Sequence, residues 1–181
     1  MNKMNYRIAL QSKKMLTDTL IKLMATDDYS KITITQICKE ADLSRRTFYR
    51  LYKTKEDILN EYMALLTTSF LEKIKESKPK HYPEVAAVYF SFWQEHIDFL
   101  KLLKRNMLLD TLYNMAKKVA PSIFQIVKPT IKSNEKILEF ALSYSIGGLY
   151  GMLIRWVEGD MKPSPEELTD ILKQTINIAA L

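Results

Sequence analysis

The sequence predicts an all-α fold: an N-terminal three-helix helix-turn-helix head followed by a helical-bundle body, about nine helices in total. Apolar residues recur at helical spacing along most of the 181-residue chain. Serine or threonine precedes several of these apolar runs, where a helix would begin. Only four glycines and six prolines are present, and no hairpin signal joins two strand-like runs. We expect the head to span 1–53 and the body 54–181.

The head is predicted to contain three helices joined by short turns. Apolar residues at helical spacing indicate a first helix over about 6–26. The pair Thr33 and Gln36 matches a capping box, in which each side chain binds the other residue's backbone N–H, so a short second helix should begin there. After a three-residue turn, Ser44 can cap a third helix over about 45–51.

The body is predicted to contain six further helices. The fourth helix opens at the capping signature Thr54-Lys55-Glu56-Asp57 and ends near Ser77. Pro79 and Pro83 then bracket a loop, and the helix after residue 108 either ends before Pro121 or restarts beyond it. The other helices are expected over about 85–93, 96–104, 108–118, 134–158 and 165–179.

The excess positive charge of the chain lies in its first third. Residues 1–55 carry 12 Lys/Arg and five Asp/Glu, a balance of +7. Residues 56–181 carry 15 and 16, a balance of −1. This asymmetry favours a head that binds a polyanion, although a basic surface that only aids solubility would look the same.

Several protein classes are disfavoured by the composition. The single cysteine, Cys38, excludes an internal disulfide framework and a cysteine-rich zinc site. No signal-peptide pattern is visible in the first residues, and a cytoplasmic location is expected. The longest uncharged run, Phe140 to Ile154, is shorter than the roughly 18–20 residues of a spanning helix. We interpret it as a buried helix of a soluble protein, without a membrane partner.

The second and third helices, with the turn between them, form a helix-turn-helix whose third helix would enter the DNA major groove. Arginine can donate two hydrogen bonds to guanine, and the threonine hydroxyls at the start of the second helix can bind phosphates. Phe48, Leu51 and Tyr52 lie on the opposite side and should be core. We expect DNA contacts from Thr33, Thr35, Ser44, Arg45, Arg46, Thr47, Tyr49, Arg50, Lys53 and Lys55.

The segment ITITQICKEADLSRRTFYRLYKTKEDIL resembles the DNA-binding region of the tetracycline-repressor-like (TetR) family of bacterial regulators. The residues that match the family pattern are Thr33, Ile37, Ala41, Ser44, Thr47, Tyr49, Tyr52 and Lys55. Asp42 departs from the glycine common in the turn, and Leu51 from a polar base-contacting residue. The resemblance implies a ligand-binding helical body, a homodimer and, by family habit, a repressor.

The long helix near the C-terminus carries two glycines four residues apart, Gly147 and Gly151. Each glycine costs about 1 kcal/mol of helix propensity, which a close helix approach can offset. We expect this helix and the last one to form a four-helix seam in a dimer, although packing within one chain remains an alternative. The expected interface residues are Gly147, Gly151, Leu168, Ile171, Leu172, Thr175 and Ile176.

Aromatic residues and methionines are concentrated in the body, where some of them could line a ligand pocket and most must be core. A large ring with a polar atom suits a binding site. The candidate pocket residues are Trp93, His96, Met107, Tyr113, Tyr144 and Trp156. Since no excess of buried charge is evident, the effector is expected to be small and apolar or uncharged.

An enzyme is the competing hypothesis, and the sequence disfavours it. The two histidines have no Ser, Cys or carboxylate partner at motif spacing, so we expect no catalytic residue, metal or cofactor. The predicted function is a homodimeric transcription regulator that binds a palindromic double-stranded DNA operator. A transcriptional activator, and a head that acts through protein contacts without binding DNA, remain as alternatives.

Overall fold

The described residues form helices joined by short turns and loops. The structure, a computed structural model, describes residues 3–128 and 134–179, and within those ranges it contains no strand. The all-α prediction is therefore confirmed. The helices are α1 (Lys3–Thr26), α2 (Ile34–Glu40), α3 (Arg45–Leu51), α4 (Lys55–Ser77), α5 (Tyr82–Glu95), α6 (Ile97–Arg105), α7 (Asp110–Val127), α8 (Glu135–Glu158) and α9 (Pro165–Ala179), with a 3₁₀ turn at Tyr29–Lys31.

Two compact units divide the chain, Met1–Leu66 and Thr67–Leu181. The division falls inside α4, which runs without interruption from the first unit into the second. The domain boundary expected between residues 53 and 54 stays a prediction.

The core of the first unit is a layer of apolar side chains from four helices. Leu20 of α1, Ile37 of α2, Phe48 of α3 and Ile58 of α4 are all fully buried. The helix α1 packs against both α2 and α3. Burying one large apolar side chain contributes roughly 1.5–3 kcal/mol, so each of these four residues favours folding of the unit.

The short helices of the first unit begin at the capping residues that the sequence indicates. The Thr33 side chain accepts a hydrogen bond from the Gln36 N–H at 3.1 Å, and Ser44 accepts one from the Thr47 N–H at 3.0 Å. Between the helices, Asp42 adopts φ 51°, a left-handed conformation that aspartate tolerates better than most residues. The expectation that aspartate preserves the turn in place of glycine agrees with this geometry.

The second unit is built around the aromatic helix α5. Phe90, Trp93 and Leu100 are buried to 1% exposure or less, as is Trp156 of α8. The helix α9 packs on α5, and α7 packs on α8. Trp156 donates a hydrogen bond from Nε1 to the Pro163 carbonyl oxygen at 2.8 Å, which satisfies its one buried donor.

Two prolines lie elsewhere than expected. Pro83 does not belong to a loop but to the first turn of α5, where its missing N–H leaves no helical bond unmade. Pro121 lies inside α7, which continues through it to Val127 rather than stopping and restarting. Proline inside a helix removes one N–H donor, and the helix that tolerates it here packs on α8.

The helix α8 corrects the expectation of a buried helix. Only 6% of its most apolar 18-residue window is buried, and Ile137, Phe140 and Tyr144 are 66–71% exposed. By length and composition alone this helix could cross a membrane, but a single helix of this kind is weak evidence, because helices of soluble proteins pass the same test. What the structure shows is an apolar helix face without a partner among the described residues.

Candidate functional site

The helix α3 separates its residues into two faces. Phe48 is fully buried, and its ring centroid lies 6.1 Å from that of the buried Tyr52. On the other face the guanidinium of Arg45 lies over the ring of Tyr49, 5.8 Å from its centroid. The buried pair therefore fixes the helix while the arginine and tyrosine remain available to an external partner.

Most of the ten predicted DNA contacts are exposed. Eight of them are solvent-exposed, and two, Thr47 and Lys55, are half-buried. The structure brings them together on the exposed side of α3, at the first turn of α2, and in the segment that joins α3 to α4. The exposed residues are Thr33, Thr35, Ser44, Arg45, Arg46, Tyr49, Arg50 and Lys53.

The hydroxyl groups at the start of α3 are partly used within the chain. Ser44 caps the helix, and its hydroxyl oxygen lies 3.0 Å from that of Thr47, so the two share a hydrogen bond. A hydroxyl has one donor and two acceptor lone pairs. Both groups therefore keep capacity for a phosphate or a base edge while they hold the first turn of the helix.

Lys55 has different partners from those the sequence suggested. It is the first residue of α4, as expected, but its ammonium donates to the backbone carbonyl oxygens of Tyr29 and Ile32, the latter at 2.8 Å. It also lies 4.5 Å from the centroid of the Tyr29 ring. These contacts use donors of the half-buried ammonium within the chain, and the phosphate contact expected of Lys55 stays a prediction.

Asp57, in the first turn of α4, has a structural role. The sequence indicated it only as part of a capping signature. Its carboxylate accepts hydrogen bonds from the backbone N–H groups of Thr54, at 2.9 Å, and Lys53, at 2.8 Å. The bond from the Thr54 N–H, followed by that from Lys53, lowers the pKa of the Asp57 carboxyl. The carboxylate thereby orders the segment that carries Lys53.

A cavity of about 290 Å³ lies within the second unit. Phe70 near the C-terminal end of α4 lines it, together with side chains of α5, α7 and α8. The lining is almost entirely apolar, and Lys128 is its one charged residue among those the structure describes. The arrangement suits a small apolar molecule, since ligand pockets combine an apolar lining with few polar groups.

Two tyrosines supply polar groups to this cavity. Tyr82 donates from its hydroxyl to the Ser145 carbonyl oxygen at 2.9 Å, and burial raises its pKa to about 12. Tyr89 is also buried, which raises the pKa of its phenol. Both hydroxyls therefore stay protonated and neutral at physiological pH.

Of the candidate pocket residues, Trp93 alone lines this cavity. Met107 and Tyr144 are 91% and 71% exposed, so their assignment to a pocket is corrected. Met107 lies at the end of α6 with φ 57°, and Tyr144 lies on the open face of α8. Both side chains are therefore in contact with solvent rather than with the interior.

The other three candidates also lie outside the cavity. The Tyr113 ring packs on that of Tyr150, with centroids 5.2 Å apart, and Trp156 belongs to the core beside Phe90. His96 joins α5 to α6, with its ring centroid 4.5 Å from that of Phe92. Partial burial lowers the pKa of His96, because it disfavours the charged imidazolium.

The predicted dimer residues fall into two groups. Leu168 and Leu172 are 5% and 4% exposed in the single chain, because this stripe of α9 faces α5. Their assignment to the interface is therefore corrected: they belong to the intrachain core. The remaining residues are exposed or, for Ile176, half-buried: Gly147, Gly151, Ile171, Thr175 and Ile176.

The open face of α8 extends the predicted glycine pair. A Cβ atom added at Gly147 or Gly151 would meet no atom within 4 Å. Ile137, Phe140 and Tyr144 are exposed at helical spacing on the same side, preceding the glycines. Phe140 was expected to lie in a buried helix and Ile137 had no assigned role, although the three- and four-residue spacing is visible in the sequence.

Two family models of known proteins match this chain. A family model described as bacterial regulatory proteins of the tetR family matches residues 16–62. A second, described as the C-terminal region of transcriptional regulators, matches residues 80–178, more than half of the chain. The two matches cover the helix-turn-helix and most of the helical body.

Individual proteins agree with the family models. The uncharacterized HTH-type transcriptional regulator YuxN of Bacillus subtilis (strain 168) is 29% identical over 124 residues, which are 64% of this chain and 43% of that protein. This chain thus matches less than half the length of that relative. The fatty acid degradation regulator FadR from Bacillus halodurans shares the fold, with a TM-score of 0.54 and 16% identity over 90% of this chain and 93% of that one.

The family models, the helix-turn-helix geometry and the helical body point to a regulator of transcription rather than to an enzyme. The protein belongs to the TetR family of bacterial transcriptional regulators and carries its DNA-binding domain at the N-terminal end.

Proposed function

We propose that the protein is a cytoplasmic repressor that binds a palindromic operator as a homodimer and is released by a small apolar or uncharged effector. The observation that carries the proposal is the two-faced helix α3. Its apolar side is anchored by Phe48, while Arg45, Arg46 and Arg50 are exposed. Guanine recognition in the major groove needs such freely placed guanidinium groups.

The homodimer is supported by the open apolar face of α8. This face is made of Ile137, Phe140, Tyr144, Gly147 and Gly151, all exposed in the single chain. Soluble proteins rarely leave such a stripe in water, and a C2 axis covers it by placing the same stripe of a second chain against it. The two glycines allow the two helix backbones to approach closely.

The effector is supported by the cavity of the second unit. Its volume of about 290 Å³ is at the lower end of ligand pockets, near 300 Å³. The neutral hydroxyls of Tyr82 and Tyr89 and the apolar lining favour an uncharged or mainly apolar molecule. The structural neighbour is named as a regulator of fatty acid degradation, so fatty acids and their neutral derivatives are the first compounds to test.

The helix α4 offers a route from effector to DNA. It begins at Lys55 in the first unit, and its Phe70 lines the cavity of the second unit. An effector that binds one position of α4 more tightly than another would change the separation of the two heads in the dimer. Operator affinity would fall for the state whose heads no longer match the two half-sites.

The DNA-binding proposal is tested by selecting bound duplexes from a random DNA pool with the purified protein. The expected result is an inverted repeat whose half-sites lie roughly 34–36 Å apart, or a multiple of one helical turn, since each half-site meets one α3. Selection of a direct repeat or of no common sequence would contradict the proposal. An activator would bind the same repeat but raise transcription in a reconstituted assay.

The effector proposal is tested by thermal unfolding with a panel of fatty acids, fatty alcohols and aromatic neutral compounds. A ligand at 100 times its Kd should stabilise the fold by about 2.7 kcal/mol. Ala116→Phe places a ring in the cavity and should abolish this stabilisation by the ligand. The control Ala64→Phe adds the same ring on the exposed side of α4 and should keep it. An equal shift in both variants would place the ligand elsewhere.

A further inference from the structure

The ammonium of Lys55 is enclosed by backbone carbonyl oxygens. It lies 2.8 Å from the Ile32 oxygen and 3.4 Å from that of Ser30, and it also bonds the Tyr29 oxygen. The Tyr29 ring covers it, with the centroid 4.5 Å away. A lysine ammonium has three N–H donors, so three carbonyl oxygens can use all of them.

These carbonyl oxygens belong to the segment that leads into α2. The 3₁₀ turn Tyr29–Lys31 ends there, and terminal carbonyl groups of a helical turn need partners from outside it. Thr33, two residues after Lys31, is the N-cap of α2. The Lys55 ammonium therefore ties the first turn of α4 to the entrance of α2.

The same turn of α4 also holds the exit of α3. Two residues beyond Lys55, the Asp57 carboxylate accepts hydrogen bonds from the Lys53 and Thr54 N–H groups. These follow Leu51, the last residue of α3. One turn of α4 thus braces both ends of the helix-turn-helix, with a cation at the entrance and an anion at the exit.

We propose that Lys55 is a positioning residue for operator binding, one that fixes the entrance of α2 instead of contacting a phosphate. The inference rests on the proposed DNA binding. A phosphate could take the ammonium only by displacing a carbonyl oxygen and leaving it without its donor. Lys53, by contrast, is exposed, and its charge acts on the nearby Asp57 carboxylate, so it serves as the phosphate-contact comparison.

Three variants separate positioning from phosphate binding: Lys55→Met, Lys55→Arg and the control Lys53→Met. Operator affinity is measured as a function of salt concentration, at a temperature well below the melting temperature of each variant. Hydrogen exchange of the backbone amides 29–36 is measured separately in the protein without DNA. Lys55→Met should weaken binding by the dimer about a hundredfold, a factor of about ten for the charge-assisted hydrogen bond lost in each head, without changing the salt slope. Lys53→Met should make the slope shallower by about 1.8 for the dimer, that is about 0.9 for each of its two lost phosphate contacts.

The arginine variant gives the sharpest contrast. Arginine keeps the charge and can bind a phosphate, but its planar fork does not fit carbonyl oxygens that converge on one point. Lys55→Arg should therefore bind the operator as weakly as Lys55→Met, and both should exchange amides 29–36 faster than the wild type.

Three results would overturn the positioning role. They are a shallower salt slope in Lys55→Met, wild-type affinity in Lys55→Arg, and a lower melting temperature in Lys55→Met with unchanged affinity. If the wild type itself selects no operator, the proposed DNA binding fails. The exchange of amides 29–36 then still decides whether Lys55 holds this segment, because it is measured without DNA.

Discussion

The helices α3 and α8 both present an uncovered face, and the two faces are opposite in character. In α3 the apolar residue Phe48 is buried and the arginines are exposed. In α8 the aromatic residues Phe140 and Tyr144 are exposed, and Leu153 and Trp156 are buried on the other side. The charged face of α3 attracts an anion and is costly to bury against an apolar partner. The apolar face of α8 is stabilised when it is buried away from water.

The two faces are expected to serve different purposes: the face of α3 determines affinity for DNA, and the face of α8 determines how stably two chains associate. Exposed arginines cost the free protein little, because water solvates them, and they act only when DNA is present. Exposed aromatic residues raise the free energy of the single chain in water, and a second chain that covers them lowers it. We therefore expect changes to α3 to alter DNA binding, and changes to the open face of α8 to alter self-association.

The largest expected effect comes from removing the anchor of α3. Phe48→Ala should lower the free energy of unfolding of the first unit by about 3–5 kcal/mol, since it leaves a cavity in a fully buried site. Tyr49→Ala, on the exposed face of the same helix, should change it by no more than about 0.5 kcal/mol. Chemical denaturation of both variants tests the assignment, and equal losses would erase the distinction between the two faces.

The next effect is expected on the open face of α8. Tyr144→Glu places a charge in the proposed seam and should weaken self-association by about 2–4 kcal/mol, the range of a central interface residue. Gln125→Glu adds the same charge at an exposed position of α7 and should leave self-association unchanged. Sedimentation of both variants at micromolar concentration gives the result. A wild type that sediments as a monomer would contradict the seam.

The smallest effect concerns the turn that orients α3. Asp42 has φ 51°, so Asp42→Gly should keep the unfolding free energy within about 0.5 kcal/mol, whereas Asp42→Val should lower it by about 1–2 kcal/mol. Denaturation midpoints at equal m-values measure the difference. Equal stability of the glycine and valine variants would show that the left-handed turn does not constrain the head.

Local signals made much of the first unit predictable. The bounds of α3 and the caps Thr33 and Ser44 depend on residues three positions apart, and the sequence displays such relations directly. The inward face of α3 follows from the same spacing. The partners of Lys55 do not, because the carbonyl oxygens that bind it lie 23 to 26 positions earlier in the chain.

The second unit was predicted less well for a related reason. Helical spacing shows which residues share a face but not which face is covered, so Leu168 and Leu172 were assigned to a dimer while α9 buries them on α5. The same limit applies to the cavity. Its walls come from four helices, and only Trp93 among the expected residues lies there.

The most direct test of the account is operator binding by the double variant Arg45→Ala/Arg46→Ala, compared with the wild type on the duplex obtained by selection. Both arginines are exposed on α3, so the fold should be unchanged. If they read bases, each substitution should cost about 1–3 kcal/mol, and the preference for the operator over unrelated DNA should largely disappear. Wild-type affinity and specificity in the double variant would contradict the assignment of α3 as the reading helix.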